Sequence, residues 1–178
     1  SAVSYLTEIY GQVWEELEYF PVPDSALKDT EAVSFENTWQ AERTYGGKRK
    51  HEGCDLIPEK EESGYYPVIS MTDGTVERAG WLEKGGWRIG IRSDNGNYYY
   101  YAHLESYVGD WKEGDQVQAG DLIGYMGDSG YGPEGTTGQF PVHLHVGIYM
   151  PLGVEDELAI NPYWMLKYLE EKKVKWDY

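Results

Sequence analysis

Between Val142 and Met150 the chain alternates without a break. Val142, Leu144, Val146, Ile148 and Met150 are apolar, and His143, His145, Gly147 and Tyr149 fall between them. Successive side chains of a strand point to opposite faces. The segment therefore predicts a strand with one face in a core and two imidazoles side by side on the other, next to a glycine that leaves room.

The rest of the chain fits a β-rich setting. Most of the 22 glycines lie beyond Phe35, as an antiparallel sheet with many reversals requires. The clearest hairpin runs from Trp87 to Ser93, turns through Asp94-Asn95-Gly96-Asn97 and returns from Tyr98 to Leu104, with Asn-Gly predicting a type I′ turn. Asp73-Gly74 and Ala119-Gly120-Asp121 mark further reversals. Helices are expected at both ends. Leu6, Ile9, Val13, Leu17 and Phe20 recur at helical steps after Ser4, and Pro21 and Pro23 close that run. Asn161-Pro162 reads as an N-cap with proline at the first helical position. Met165, Leu166 and Leu169 give this second helix its apolar face, and Lys172, Lys173 and Lys175 suit its C-terminal end. The expected fold is thus mainly β, an antiparallel sheet domain flanked by an N-terminal and a C-terminal helix. Residues 1–34 form the first helix and a polar connection, and residues 35–178 form the domain.

Charge narrows the partners. A net charge of −16, from 31 acidic against 15 basic side chains, argues against nucleic acid, whose phosphates need clustered Lys and Arg. It also disfavours an anionic membrane surface. No apolar run approaches the ~18 residues of a membrane span, and no signal peptide is expected at Ser1. The lone Cys54 excludes an internal disulfide and a thiolate zinc cage. Its parity differs from that of its neighbours His51 and Asp55, so it reads as a small buried apolar residue.

All four histidines fall where one metal site would need them. His51 and Asp55 stand four apart in His51-Glu52-Gly53-Cys54-Asp55, where Gly53 and nearby Pro58 disfavour a helix. Their Cα atoms would lie ~13 Å apart in an extended strand. For both to bind one ion the backbone must bend between them, and Gly53 is the natural place. The helical His-Glu-x-x-His protease motif is absent, because position 55 is not histidine. Adding one histidine of the His143-Leu144-His145 pair gives two imidazoles and a carboxylate. That is a catalytic zinc set with an open position for water, and equally a non-haem iron set. The remaining histidine of the pair shares its face. His103 ends a strand whose site-side parity also contains Tyr99 and Tyr101. Histidines not used as ligands can position water, take a proton or stabilise an oxyanion.

In this order, His51-x-x-x-Asp55, Tyr101-Ala102-His103-Leu104 and His143-Leu144-His145 resemble the LytM/lysostaphin-type zinc metallopeptidases, peptidase family M23. The likeness extends to Asp73-Gly74-Thr75-Val76, to the glycine-studded run Gly114–Gly124 and to Thr137-Gly138, and it covers the chain from about Phe35 to Pro162. The resemblance implies a β-sheet domain whose loops wall a narrow groove. It implies one Zn²⁺ per chain held by His51, Asp55 and His145, with His103 and His143 as catalytic histidines. It further implies hydrolysis of peptidoglycan cross-links or stem peptides, by a monomer outside the cytoplasm or at the cell wall. Val146 and Gly147 depart from the family pattern and touch groove shape rather than ligands. Tyr45 is the nearest candidate for an oxyanion-stabilising tyrosine. The competing classes are an iron(II) oxygenase on a β scaffold, which leaves His103 and His143 without a clear role, and a cell-wall binding module, which has no need of an intact ligand set.

Overall fold

The structure is a computed structural model that describes residues 2–40, 42–43, 49–50 and 52–178. His51 and Tyr45 lie outside the described residues.

Helix α1 (Ala2–Glu16) leads into short strands β1 (Asp24–Ser25), β2 (Val33–Ser34), β3 (Glu42–Arg43) and β4 (Arg49–Lys50). Then come β5 (Cys54–Pro58), β6 (Pro67–Ile69), β7 (Gly74–Leu82), β8 (Gly86–Arg92) and β9 (Tyr98–Tyr107). Strands β10 (Gln116–Val117), β11 (Leu122–Met126), β12 (Leu144–Leu152) and β13 (Asp156–Ile160) complete the main sheet, and α2 (Pro162–Leu169) and β14 (Lys175–Trp176) end the chain. The main sheet runs β10-β7-β8-β9-β12-β5-β2, with β11 bridging β9 to β6 and β13 paired to β12. Every pairing in it is antiparallel. The mainly β, antiparallel architecture expected from the glycine and alternation pattern is the one observed.

One face of this sheet is a core. Val142, Leu144, Val146, Ile148 and Met150 are all buried, together with Ile89, Ile91, Tyr99 and Tyr101 from the neighbouring strands. Val13, Leu17 and Phe20 from the N-terminal segment, and Met165, Leu166 and Leu169 of α2, belong to the same cluster. Gly11 inside α1 costs about 1 kcal/mol relative to alanine. Burying Val13 returns roughly 1.5–3 kcal/mol, and Leu17 and Phe20 pin the segment just beyond the helix, so packing holds it. The opposite face of the sheet is left for the site, a division that antiparallel sheets permit.

Three local expectations are corrected. The first helix stops at Glu16 rather than near Phe20. Beyond it the backbone pairs with the strand region at 69–71, the Glu18 N–H donating to the Met71 carbonyl (2.9 Å) and the Ile69 N–H to that of Pro21 (2.8 Å). The Asp94–Asn97 hairpin is not a type I′ turn, because Asn95 does not carry a positive φ. Only Gly96 does (φ 86°), with the Gly96 N–H donating to Ser93 O at 2.9 Å and the Ser93 N–H to Asn97 O at 2.8 Å. This is a three-residue loop closed by a left-handed glycine. Third, Lys175 does not serve the end of α2 but lies in β14, which pairs in parallel with β1. At the other end of α2 the cap forms as expected, the Asn161 side chain accepting from the Tyr163 N–H at 3.1 Å.

Candidate functional site

The site begins with a cross-strand pair. His145 on β12 stands directly opposite Asp55 on β5, and register on this face brings their polar atoms together. His145 Nδ1 lies 3.0 Å from Asp55 Oδ1, and His143 Nε2 lies 3.8 Å from the same oxygen. Gly53 makes this approach possible. Its φ is +138°, and a Cβ there would sit 2.7 Å from both Cε1 and Nε2 of His145 and 2.7 Å from the Val146 carbonyl. Gly53 thus takes the left-handed conformation just ahead of Asp55, and the bend expected between positions 51 and 55 involves His51, outside the described residues.

His143 precedes β12 and is held by an isolated bridge to Gly127. The Glu61 carboxylate accepts from the Val142 N–H at 2.9 Å, fixing the chain where it enters the site. His143 Nδ1 lies 2.8 Å from the Pro141 carbonyl. A carbonyl only accepts, so this bond puts the proton on Nδ1 and leaves Nε2 an acceptor.

His103 reaches the same place by a different route. Trp87 pairs with Leu104 and Ile89 with Tyr101, so β9 has two residues, Ala102 and His103, where β8 has only Arg88. This is a β-bulge, and His103 takes a φ of +65° within it. The expected parity is corrected accordingly. Tyr99 and Tyr101 are core residues with no exposed surface, and the site-side tyrosines are Tyr98 and Tyr100. The bulge turns His103 to the site face despite its odd number. A non-glycine residue in the left-handed region costs about 1–2 kcal/mol and persists where its surroundings hold it. Here the Gly85 carbonyl accepts from the His103 N–H at 2.8 Å, and the Ser129 carbonyl lies 2.8 Å from His103 Nδ1. Nε2 is again the acceptor nitrogen.

The three rings gather closely, with His103 4.7 Å from His143 and 6.1 Å from His145 between centroids. Phe140 meets His103 edge-on at 4.5 Å, Tyr131 stacks on it at 6.2 Å, and Tyr100 lies 6.0 Å from His145. Burial, with the neighbouring His143 and His145, pushes the His103 imidazole down to about 3, so the ring is neutral at physiological pH. The aromatic wall of Tyr131 and Phe140 and the orienting carbonyls of Ser129 and Pro141 were not singled out from the sequence. Phe140-Pro141 just ahead of the histidine pair was the available signal for the wall, whereas backbone acceptors leave none. Cys54 is buried as expected, and burial beside Asp55 pushes its thiol up to about 12. It is inert rather than reactive.

Two donors bound ~2.1 Å from one tetrahedral ion sit ~3.4 Å apart. The 3.0 Å between Asp55 Oδ1 and His145 Nδ1 lies within about half an ångström of that value. Among the described residues no group of three His, Cys, Asp or Glu donors encloses one point. The donors present, a carboxylate oxygen and imidazole nitrogens, are those a zinc ion takes.

Residues 49–162 match the family model described as Peptidase family M23. The chain belongs to peptidase family M23. M23 peptidases depend on zinc. The L-Ala–D-Glu endopeptidase of Bacillus subtilis (strain 168) is 41% identical over 160 residues, covering 89% of this chain and 45% of that protein. A Ruminococcus gnavus ATCC 29149 protein, provisionally assigned as the glycyl-glycine endopeptidase lytM, has a solved structure that superposes with a TM-score of 0.84 at 57% identity. The match covers 93% of this chain and 65% of that one. Lysostaphin of Staphylococcus simulans superposes with a TM-score of 0.59 at 26% identity, over 88% of this chain and 57% of its own. The M23 chain described here therefore spans about half to two thirds of the length of these relatives.

Proposed function

We propose that this M23 chain is a zinc-dependent endopeptidase that hydrolyses peptide bonds of bacterial peptidoglycan, in cross-links or stem peptides, outside the cytoplasm or at the cell wall. The catalytic domain is residues 35–178, acting as a monomer. His51, Asp55 and His145 would hold one zinc ion per chain, which when bound supplies a Lewis acid that acidifies a water and polarises a carbonyl. The observation that carries the reading is the convergence of His103 and His143 beside the Asp55–His145 pair, each with its Nδ1 proton fixed on a backbone carbonyl.

The residues divide the work by that geometry. His143 Nε2, 3.8 Å from the Asp55 carboxylate, accepts the proton of the attacking water and returns it to the leaving amine. His103, neutral and walled by Phe140 and Tyr131, excludes bulk water and orients the reacting groups at its Nε2. Recruiting His143 as a further ligand would close the open position a catalytic site needs. The relatives' names leave two kinds of bond open, one beside an acidic residue and one between glycines.

Digestion of purified peptidoglycan by the zinc-loaded chain tests this. New free amino groups without new reducing ends are expected, since a metal-activated water suits acyl hydrolysis whereas glycosidases use a flanking carboxylic acid pair. New reducing ends alone would refute it. Iron rather than zinc on elemental analysis, with zinc failing to restore the metal-free protein, would return the oxygenase class.

A further inference from the structure

Arg88 and Arg92 lie four residues apart on β8, and between them Ile89 and Ile91 are wholly buried in the core. Both arginines therefore stand on the face that carries the site. Arg92 is matched by two carboxylates. Its Nε and Nη2 donate to the Glu77 carboxylate (3.1 and 2.7 Å), and its Nη1 donates to Glu157 (2.5 Å) and to the Gly96 carbonyl (3.0 Å).

Arg88 is the more buried of the two, at 9% exposure, and has no carboxylate partner among the described residues. Its hydrogen bond runs from Nη1 to the Gly80 carbonyl at 3.5 Å, and that oxygen already accepts from the Tyr107 hydroxyl at 3.2 Å. The remaining N–H groups are not sealed in. Among the described residues the enclosed side-chain atoms left without a partner belong to Glu16, Glu62, Thr72 and Tyr99, and none to Arg88. The Arg88 charge acts on the site-side hydroxyls of Tyr98 and Tyr100, opposing the burial that raises their pKa. A guanidinium withdrawn from water with one long bond is poorly compensated, and a carboxylate, which it can grip bidentately, is its natural complement.

Its position fits a substrate contact. Arg88 faces the Ala102–His103 bulge, and Ala102 pairs with His145. Two strand spacings put the Arg88 and His145 backbones ~10 Å apart, which is two to three residues of an extended peptide. We infer that Arg88 recognises a carboxylate on the peptide, within about two to three residues of the bond cleaved. Of the two bond types left open above, the one beside an acidic residue is then preferred. The inference rests on the endopeptidase reading.

The test uses matched peptides that differ only in carboxylate against carboxamide at one acidic side chain. A second pair has a neutral interior and a free or amidated C-terminus, to separate a side-chain carboxylate from a terminal one. The ratio of kcat/KM within each pair is measured for zinc-loaded wild type, Arg88→Gln, Arg88→Lys and Arg92→Gln. Wild type should favour the carboxylate in one pair by about ten- to a hundredfold. That ratio should fall to near one in Arg88→Gln, be intermediate in Arg88→Lys, which keeps charge without the fork, and persist in Arg92→Gln. A wild-type ratio near one in both pairs, or a ratio that survives Arg88→Gln, overturns the assignment. If Arg88 merely packs its stem on the tyrosines, both members of each pair lose rate equally. Should Arg88→Gln fail to fold, the wild-type ratio and Arg88→Lys decide. Calorimetry with an uncleavable, N-methylated pair separates the two readings. Preferential binding without any cleavage sinks the endopeptidase reading and keeps the subsite, and equal cleavage of both members does the reverse.

Discussion

The segment that carries His143 and His145 delivers them by plain alternation, whereas β9 delivers His103 by breaking it. Along β12 every second side chain enters the core, and register alone sets His145 opposite Asp55. On β9 an extra residue opposes Arg88, and His103 sits at a φ of +65°. A regular ladder places side chains cheaply but only at every second position. A bulge reaches between those positions, at a cost in backbone strain that the Gly85 and Ser129 carbonyls offset. Asp55 and His145, two of the proposed metal ligands, then lie on regular backbone, and the residue that must aim a ring at the substrate lies on the strained one.

The largest effect should separate ligands from the histidines around them. Asp55→Ala and His145→Ala are expected to lose most of their zinc and roughly three or more orders of magnitude in turnover. Next, His103→Ala and His143→Ala should keep near-stoichiometric zinc yet lose about two or more orders in kcat. Metal content and turnover measured on the same samples decide. Zinc lost from His143→Ala and retained in His145→Ala would swap the roles. Zinc lost from His103→Ala would mean that the bulge builds the metal site itself and would erase the contrast between the strands.

The same contrast governs what the sequence could reveal. Alternation from Val142 to Met150 displayed the core face, the histidine face and the antiparallel class, because a period of two survives in any regular strand. The cap at Asn161 was equally legible, since a side chain and a proline make it. The facing of Tyr99 and Tyr101 was not, because a bulge shifts parity while leaving the local residue pattern intact. Nor were the Ser129 and Pro141 carbonyls, which any residue could have supplied. The Asn95-Gly96 turn misled because the pair also suits a three-residue loop, in which only the glycine needs a positive φ.

A smaller effect is expected on the regular side of the site. Gly53→Ala introduces a Cβ 2.7 Å from the His145 ring and from the Val146 carbonyl, at a φ of +138°. His145 must tilt away from Asp55, so zinc affinity should fall about 10- to 100-fold, as when groups that orient a ligand are lost. Competition against a chelator reads this directly. An unchanged affinity would show that the His145–Asp55 approach does not depend on the glycine.

The smallest effect discriminates most sharply, because it asks for opposite signs at two histidines. At position 103 the backbone is left-handed, where alanine pays a steric cost that glycine avoids. Both substitutions remove the same imidazole and the same bond to Ser129. The His103→Gly protein should therefore be the more stable of the two by about 1 kcal/mol. At position 145 the backbone lies in a regular strand paired on both sides. There glycine brings no relief of strain and adds entropy to the unfolded chain, so His145→Ala should be the more stable by ~0.5–1 kcal/mol. Urea unfolding of the four metal-free variants measures both differences without reference to activity. Subtracting within each position cancels the loss of the side chain, so the comparison isolates backbone conformation. If glycine is the less stable residue at both positions, His103 is not held in a strained bulge, and its delivery to the site needs another explanation.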